Sequence, residues 1–398
     1  MDEINHFLPK TSKRSKKKRE YIYNKSPSSS NEDISNKFYI ISIIILIITS
    51  IILIIQIRNK KQDNNFVNQD KKIININQTN PIINKQKKFK RIFQYKEDII
   101  ENNDKNQIHI SMAIDNNYNY PTLVSMTSIL QNNKKEKNII IFHLLLSHNY
   151  SVTNIDIFES LKNNYEVKIN YYIIPNIFRN LRTWSDKTDT IYYKILLPLI
   201  FLDLERIIYL DSDTLTFKDL YEMYTLPFHD NYILGYPFQD VVKIDKFVNN
   251  AMVYINGGVL LFNIKKIRED NRDIELLRLT FEKNDDLWFL EQDSINVVFF
   301  QKIGLLPLKY GIYLYGDMKT FERWYEKRLR IKLNKDELNN AMNDPSLVHL
   351  SCCNPKVWNK LSRNDFGYNE ICDKYRKIFY FYANKTKYYT EIYNKYMK

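Results

Sequence analysis

Residues 206–214 read Arg206-Ile-Ile-Tyr-Leu-Asp-Ser-Asp-Thr214. A short apolar run of strand length ends in two carboxylates one residue apart, and along an extended chain positions i and i+2 share a face. Asp211 and Asp213 are therefore presented together at the carboxyl end of a buried strand, where open α/β sheets place their ligands. Carboxylates this close repel unless a cation lies between them, and hard oxygen donors suit Mg2+ or Mn2+. An acidic loop gives the same spacing without a metal, so both readings stand at this point.

To either side the same texture repeats. Short apolar runs at Ile108-Ala113, Ile139-Leu146 and Val167-Ile174 alternate with helix-length segments at about 121–133, 152–164 and 188–202. The alternation predicts an α/β domain over 106–375, a mixed and mostly parallel sheet flanked by helices. Glycine usage narrows its chemistry. The chain has 398 residues and seven glycines, the first at Gly235. Neither G-x-G-x-x-G nor G-x-S-x-G occurs, and the one P-loop-like spacing, Gly311 to Gly316, is followed by Asp317. Dinucleotide, P-loop and lipase-type sites, which need glycine at fixed offsets, are excluded.

The net charge of +13 belongs to the amino-terminal flank, because residues 1–105 hold 21 Lys/Arg against 11 Asp/Glu and the rest hold 38 against 35. Residues 1–37 are polar and basic and predict a disordered tail. Phe38 to Ile57 is a 20-residue uncharged run, long enough at about 1.5 Å per residue to cross a bilayer as one helix. Residues 58–105 read as a stem. Lysines and arginines flanking the span balance, and the cluster at 13–19 tips the amino terminus towards the cytoplasm. Cys352, Cys353 and Cys372 are too few and wrongly spaced for structural zinc, while Cys372 can pair with either neighbour in an oxidising compartment.

Three more constellations carry chemistry. Tyr254-Ile-Asn-Gly-Gly-Val-Leu-Leu-Phe-Asn263 holds the sole adjacent glycines, at 257 and 258, a close backbone approach or a tight turn. Glu291-Gln-Asp-Ser-Ile-Asn296 opens an amphipathic segment, and Asp293 can cap it while Gln292 faces a cleft. His349 follows Leu347-Val348 and is either a structural histidine or a ligand.

In this order, with Ile108 to Tyr120 before them, Tyr192-Tyr193-Lys194 to Pro198, and Trp358 after them, these segments resemble the successive motifs of glycosyltransferase family 8. The resemblance spans about 108 to 358. It implies the GT-A fold, a Rossmann-like nucleotide-diphospho-sugar transferase, and retaining transfer from a UDP-sugar. It further implies that Ala113, Asp115, Asn117 and Tyr118 hold the uridine. Asp211, Ser212 and Asp213 would meet the diphosphate and a Mn2+ or Mg2+ ion, with His349 as third protein ligand. Lys194, Gly257 and Lys356 would contact the donor, and Asn256, Glu291 and Gln292 would line its sugar as the catalytic group. Gln292 is a poor nucleophile, which favours front-face attack over double displacement.

Three departures stand out. Lys194 replaces the usual arginine, Glu291 the usual aspartate, and His349-Leu-Ser-Cys-Cys-Asn-Pro-Lys-Val-Trp358 has Cys352 for glycine and Lys356 one position late. The resulting expectation is a single-pass type II membrane protein of the Golgi or endoplasmic reticulum in a eukaryote, or of the inner membrane in a bacterium. Its acceptor would be a glycan, glycolipid or glycoprotein. A binding-only member of the same fold, with its transfer weakened by the 349–358 change, is the second reading. A tethered basic protein for anionic lipid or nucleic acid is the third, disfavoured because its charge flanks a membrane run without interleaved aromatics. Residues 376–398 read as an amphipathic helix.

Overall fold

A computed structural model of the chain describes residues 94–98, 105–184, 188–238, 244–248, 253–313, 326, 334–351, 353–360 and 370–398. The tail, the membrane run at 38–57 and most of the stem lie outside the described residues, as does Cys352. Among the described residues no helix is long and apolar enough to cross a membrane.

Strand β2 (Asn106–Ile114) and strand β3 (Asn138–Leu146) pair in parallel over their whole length. All nine residues of β3 are buried, as expected for a strand covered on both faces. β4 (Val167–Ile173) joins β3 and β5 (Ile207–Leu210) joins β2, both in parallel. Beyond β5 the chain reverses. β8 (Ile255–Phe262) runs antiparallel to β5 and to β7 (Ile233–Pro237), and β9 (Ile303–Leu305) closes the sheet parallel to β7. With β1 (Gln94–Lys96) at the far edge, the order is β1-β4-β3-β2-β5-β8-β7-β9. Four of its seven neighbouring pairs are parallel, so the sheet is mixed with a parallel centre.

Asp211-Ser212-Asp213 then hands the chain from β5 to a second sheet of β6 (Thr214–Thr216), β10 (Tyr310–Tyr313) and β11 (Leu347–His349), ordered β10-β11-β6. Helix α1 (Asn119–Asn132) covers this junction. Its Thr122 hydroxyl donates to Ser212 Oγ at 2.8 Å, and Ser125 Oγ lies 3.0 Å from Thr214 Oγ1. Helix α2 (Arg272–Glu282) packs on α3 (Glu291–Val298), which is set against β8.

Two boundaries differ from the sequence reading. The stem does not run to 105, because Gln94–Lys96 forms β1, antiparallel to β4, and Asp98 accepts the Ile169 N–H at 2.9 Å. Three residues are too few to show an alternation. The carboxyl end is two helices, α4 (Glu370–Ala383) and α5 (Tyr389–Met397), rather than one helix over 376–398. The break falls at Asn384-Lys385-Thr386, where the Thr386 hydroxyl donates to the Ala383 carbonyl at 2.8 Å. Both helices share one apolar cluster with Leu215, Val348, Leu350, Val357 and Trp358, and Cys353 is bonded to Cys372. The second sheet, the 350–358 loop and the carboxyl-terminal helices are thus one packed unit.

Candidate active site

The site grows from the ends of β2, β5 and β11. The Asp211 N–H donates to the Gly258 carbonyl at 2.8 Å, so the ladder between β5 and β8 continues one residue past the strand. On the other side His349 pairs with Thr214, and the Leu350 N–H donates to the Asp213 carbonyl at 2.8 Å. Two ladders therefore bring Asp211, Asp213 and His349 together, each offering a ligand atom within 4.8 Å of the others.

His349 Nε2 lies 3.0 Å from Asp213 Oδ1 and 3.7 Å from Asp211 Oδ2. Cis ligands of an octahedral ion with bonds of about 2.1 Å are about 3 Å apart, so the donor set fits a small divalent cation. Among the described residues His349 Nδ1 is buried with no hydrogen-bond partner, so the ring is engaged only through the nitrogen that faces both carboxylates. The backbone leaves room for the cluster. A Cβ on Gly258 would stand 2.1 Å from His349 Cε1 and 2.6 Å from Asp211 Oδ2.

Cations flank the pair. Lys356 Nζ is 2.7 Å from Asp213 Oδ2, so the one-residue-longer loop still delivers its amine to the site. Burial alone would raise the Asp213 carboxyl, but Lys356 and His349 hold it well below the usual carboxylate range. Lys194, on a 3-10 helix at Asp189–Leu196, is buried beneath the site. Its Nζ donates to the Gly257 carbonyl at 2.9 Å and to Glu291 Oε1 at 3.1 Å, lies 3.5 Å from Asp211 Oδ1 and sits over the Tyr209 ring. Burial works against its charge, yet Asp211 and Glu291 keep the ammonium above its ordinary pKa. Lysine for arginine shortens one partner and glutamate for aspartate lengthens the other, so two departures from the family pattern meet in one ion pair.

The floor is built from side-chain amides hydrogen-bonded to backbone and to Tyr254. Gln292 Oε1 accepts the Gly257 N–H at 2.8 Å and its amide nitrogen donates to the Tyr254 hydroxyl at 3.0 Å. The Gly258 N–H donates to Asn256 Oδ1 at 2.8 Å. Asp293 is not the cap expected of it, because the helix starts two residues earlier with Leu290 as N-cap and no side-chain cap hydrogen bond; inside the first turn of α3 it accepts the Tyr254 hydroxyl at 2.5 Å and the Phe289 N–H at 2.8 Å. Gly257 itself has ordinary space for a side chain. What it contributes is backbone, its N–H to Gln292 and its carbonyl to Lys194.

The residues expected to hold uridine lie together where β2 ends. Asp115 is buried, its Oδ1 accepting the Asn117 N–H at 2.8 Å and its Oδ2 the Thr188 hydroxyl at 2.9 Å. Ala113 and Tyr118 are half-buried and Asn117 is exposed. Tyr118 meets Trp358 edge to face at 5.9 Å, and Trp358 in turn contacts Tyr396 of α5. The Ser212 hydroxyl accepts from Thr122 at 2.8 Å. Sequence reasoning did not single out Thr188 or the hydroxyl of Tyr254, and it read Gly258 only as a close backbone approach or a tight turn. Tyr254 opens a quoted motif, whereas the neighbours of Thr188 and Gly258 are remote in sequence and leave no local signal.

Comparison with known proteins agrees with this geometry. The model of the family described as "Glycosyl transferase family 8" matches residues 109–362. Lipopolysaccharide 1,2-glucosyltransferase of Escherichia coli is 24% identical over 250 residues, 59% of this chain and 72% of that protein. General stress protein A of Bacillus subtilis (strain 168) is 21% identical over 223 residues, 54% of this chain and 72% of its own. Among solved structures, the galactosyltransferase LgtC in complex with donor and acceptor sugar analogues superposes with a TM-score of 0.53 at 18% identity, covering 70% of this chain and 96% of that one. The apo structure of the bifunctional glycosyltransferase WbbM superposes at 0.56 with 21% identity over 75% of this chain, which spans 53% of WbbM. These likenesses establish the shared fold, and the family match over more than half of the sequence establishes the rest: the chain belongs to glycosyl transferase family 8 and is a glycosyltransferase.

Proposed function

We propose that the protein transfers a hexose or pentose, with retention, from a UDP-sugar to an acceptor hydroxyl on a glycan, lipid or protein, assisted by Mn2+ or Mg2+. The observation that carries this reading is the convergence of Asp211, Asp213 and His349 beside Gly258, where any side chain would collide with the cluster. A divalent cation held by these three would supply Lewis-acid stabilisation of the departing diphosphate. Lys356 adds positive charge beside it, and Lys194 fixes Asp211 and Glu291 from below. Gln292 is immobilised against Gly257 and Tyr254, where it lines the donor sugar. The floor's two carboxylates are both engaged, Glu291 by Lys194 and Asp293 by Tyr254 and Phe289. That favours front-face attack, in which the leaving phosphate accepts the acceptor's proton, over a covalent glycosyl-enzyme. The Lys356 contact favours transfer over the binding-only reading.

The same proposal places residues 38–57 across a membrane with the transferase domain on the far side from the amino terminus. The Cys353–Cys372 bond supports this, since disulfides persist in oxidising compartments. In a eukaryote that compartment is the Golgi or endoplasmic reticulum lumen, where Asn77, Asn149 and Asn384 would be glycosylation sites, and a mobility change on glycosidase treatment tests it.

The catalytic reading is tested by Mn2+-dependent UDP release from a panel of UDP-sugars by the purified full chain. Asp211→Ala and Asp213→Ala are expected to abolish it. Unchanged release in either variant sinks the metal assignment, and a trapped glycosyl-enzyme overturns the front-face step.

A further inference from the structure

Among the described residues two tryptophans are exposed, Trp184 at 38% and Trp288 at 46%, and they pack against each other. Their ring centroids are 6.4 Å apart with planes at 81°, and Trp184 stacks over Phe289 at 6.3 Å with planes 18° apart. The three rings make a right-angled corner. Arg182 holds the two segments together, its backbone N–H donating to Asn284 Oδ1 at 2.6 Å and its guanidinium to the Leu287 carbonyl.

The corner is continuous with the donor site through Phe289. Trp288 and Phe289 are followed by Leu290, with φ at 57°, and then by Glu291 and Gln292. A left-handed leucine costs on the order of 1–3 kcal/mol and persists where its surroundings fix it, here because Asp293 binds the Phe289 N–H and the chain must turn into α3. The Phe289 ring lies 6.3 Å from that of Tyr254, whose hydroxyl accepts from the Gln292 amide. The corner thus stands beside the groups that line the sugar.

We propose that Trp184 and Trp288 form the acceptor platform, taking the apolar face of a neutral pyranose against their indole rings. This rests on the transferase reading above. Axial C–H bonds of a pyranose carry slight positive charge and meet the negative face of an aromatic ring, while the ring's rim of hydroxyls needs acceptors. Carboxylates stand nearby, because Glu282 and Asp285 before Trp288 are exposed, while Asp286 is paired with Lys246 at 3.1 Å. An anionic membrane surface is the other ligand of exposed tryptophans, but it selects basic neighbours, and residues 282–286 carry three acids against Lys283 within the segment and Lys246 paired to it. The acids disfavour an acidic sugar for the same reason.

The test uses the full chain in detergent, saturated with UDP, and titrates methyl glucoside, methyl galactoside and methyl xyloside while tryptophan emission is followed. At least one is expected to shift the emission, and the Trp184→Phe/Trp288→Phe double variant, which keeps Trp324 and Trp358, is expected to lose the shift. In turnover, Trp184→Ala and Trp288→Ala are expected to raise the acceptor KM about tenfold against a donor KM moved about twofold or less. The platform is overturned if no saccharide shifts the wild-type emission, if the double variant responds like wild type, or if only nanodiscs of brominated phosphatidylcholine quench Trp184 and Trp288. UDP release without acceptor reports the donor reading separately. Release with no saccharide response removes the platform and keeps the donor site, whereas a saccharide response without release does the reverse.

Discussion

The ionisable wall of the site and its amide-bonded floor are built on opposite principles. In the floor each backbone donor of residues 255, 257 and 258 meets a side-chain amide oxygen, from Asn296, Gln292 and Asn256 in turn. It is complete before any ligand arrives. In the wall the side chains of Asp211, Asp213, His349 and Lys356 stand 2.7 to 3.7 Å from one another, and the donor atoms of the first three converge. The floor sets shape and the wall sets affinity. Even within the wall the two aspartates differ, since the Asp213 side chain is 9% exposed and that of Asp211 34%.

The largest expected effects test that asymmetry. Asp213→Asn strips Lys356 and His349 of their buried carboxylate partner, so kcat/KM for metal-dependent UDP release should fall about 10²–10³-fold and stability should drop by about 3 kcal/mol. Asp211→Asn should cost a similar factor in rate but only about 1 kcal/mol or less in stability, because its side chain is partly solvated. Initial rates and urea unfolding on both variants measure the pair, and equal stability losses would break the distinction. Next comes the boundary between wall and floor. Gly258→Ala pushes a methyl into His349 and Asp211 and should slow release about 100-fold, the cost of misplacing a reacting group by about 1 Å. Gly257→Ala, whose Cβ meets Lys194 Nζ and Gln292 at 3.4–3.5 Å, should stay within a few-fold of wild type, about 1 kcal/mol. If the two alanines behave alike, Gly258 is not the clearance that the wall depends on.

The smallest effect concerns the ion pair beneath both. Lys194→Arg and Glu291→Asp should each slow transfer, and the double variant should recover part of the loss, with a coupling of about 1–2 kcal/mol. Additive losses in the cycle would show that the lysine and the glutamate are not a length-matched pair.

Much of this was legible in the sequence because it is local. β3 announces itself as nine apolar-rich residues, and the Asp-Ser-Asp turn follows a strand whose end fixes where ligands go. The order of the motifs gave the family. What escaped reading depends on distant partners. Glu291 looks like a relaxed substitution until Lys194 is seen against it, and Gly258 looks like a turn until His349 is placed above it. β1 is too short for periodicity, and the hydrogen bonds that anchor it come from Asp98 and Asn170 on different segments. The carboxyl-terminal aromatics gave a correct amphipathic signal, but nothing in it says that Trp358 and Tyr118 are what they cover.

The three-residue pairing of β6 with β11 has a consequence for how such a protein can change. Thr214 to Thr216 and Leu347 to His349 act as a zip whose register delivers one imidazole to one carboxylate pair. Side chains alternate faces along a strand, so a single-residue insertion or deletion inside either triplet would turn His349 away from Asp213. Length changes in the connections between the triplets, away from Ile255–Phe262 and Glu291–Val298, leave both the zip and the floor untouched. Tolerance to insertion therefore follows distance from these few segments and not position along the chain.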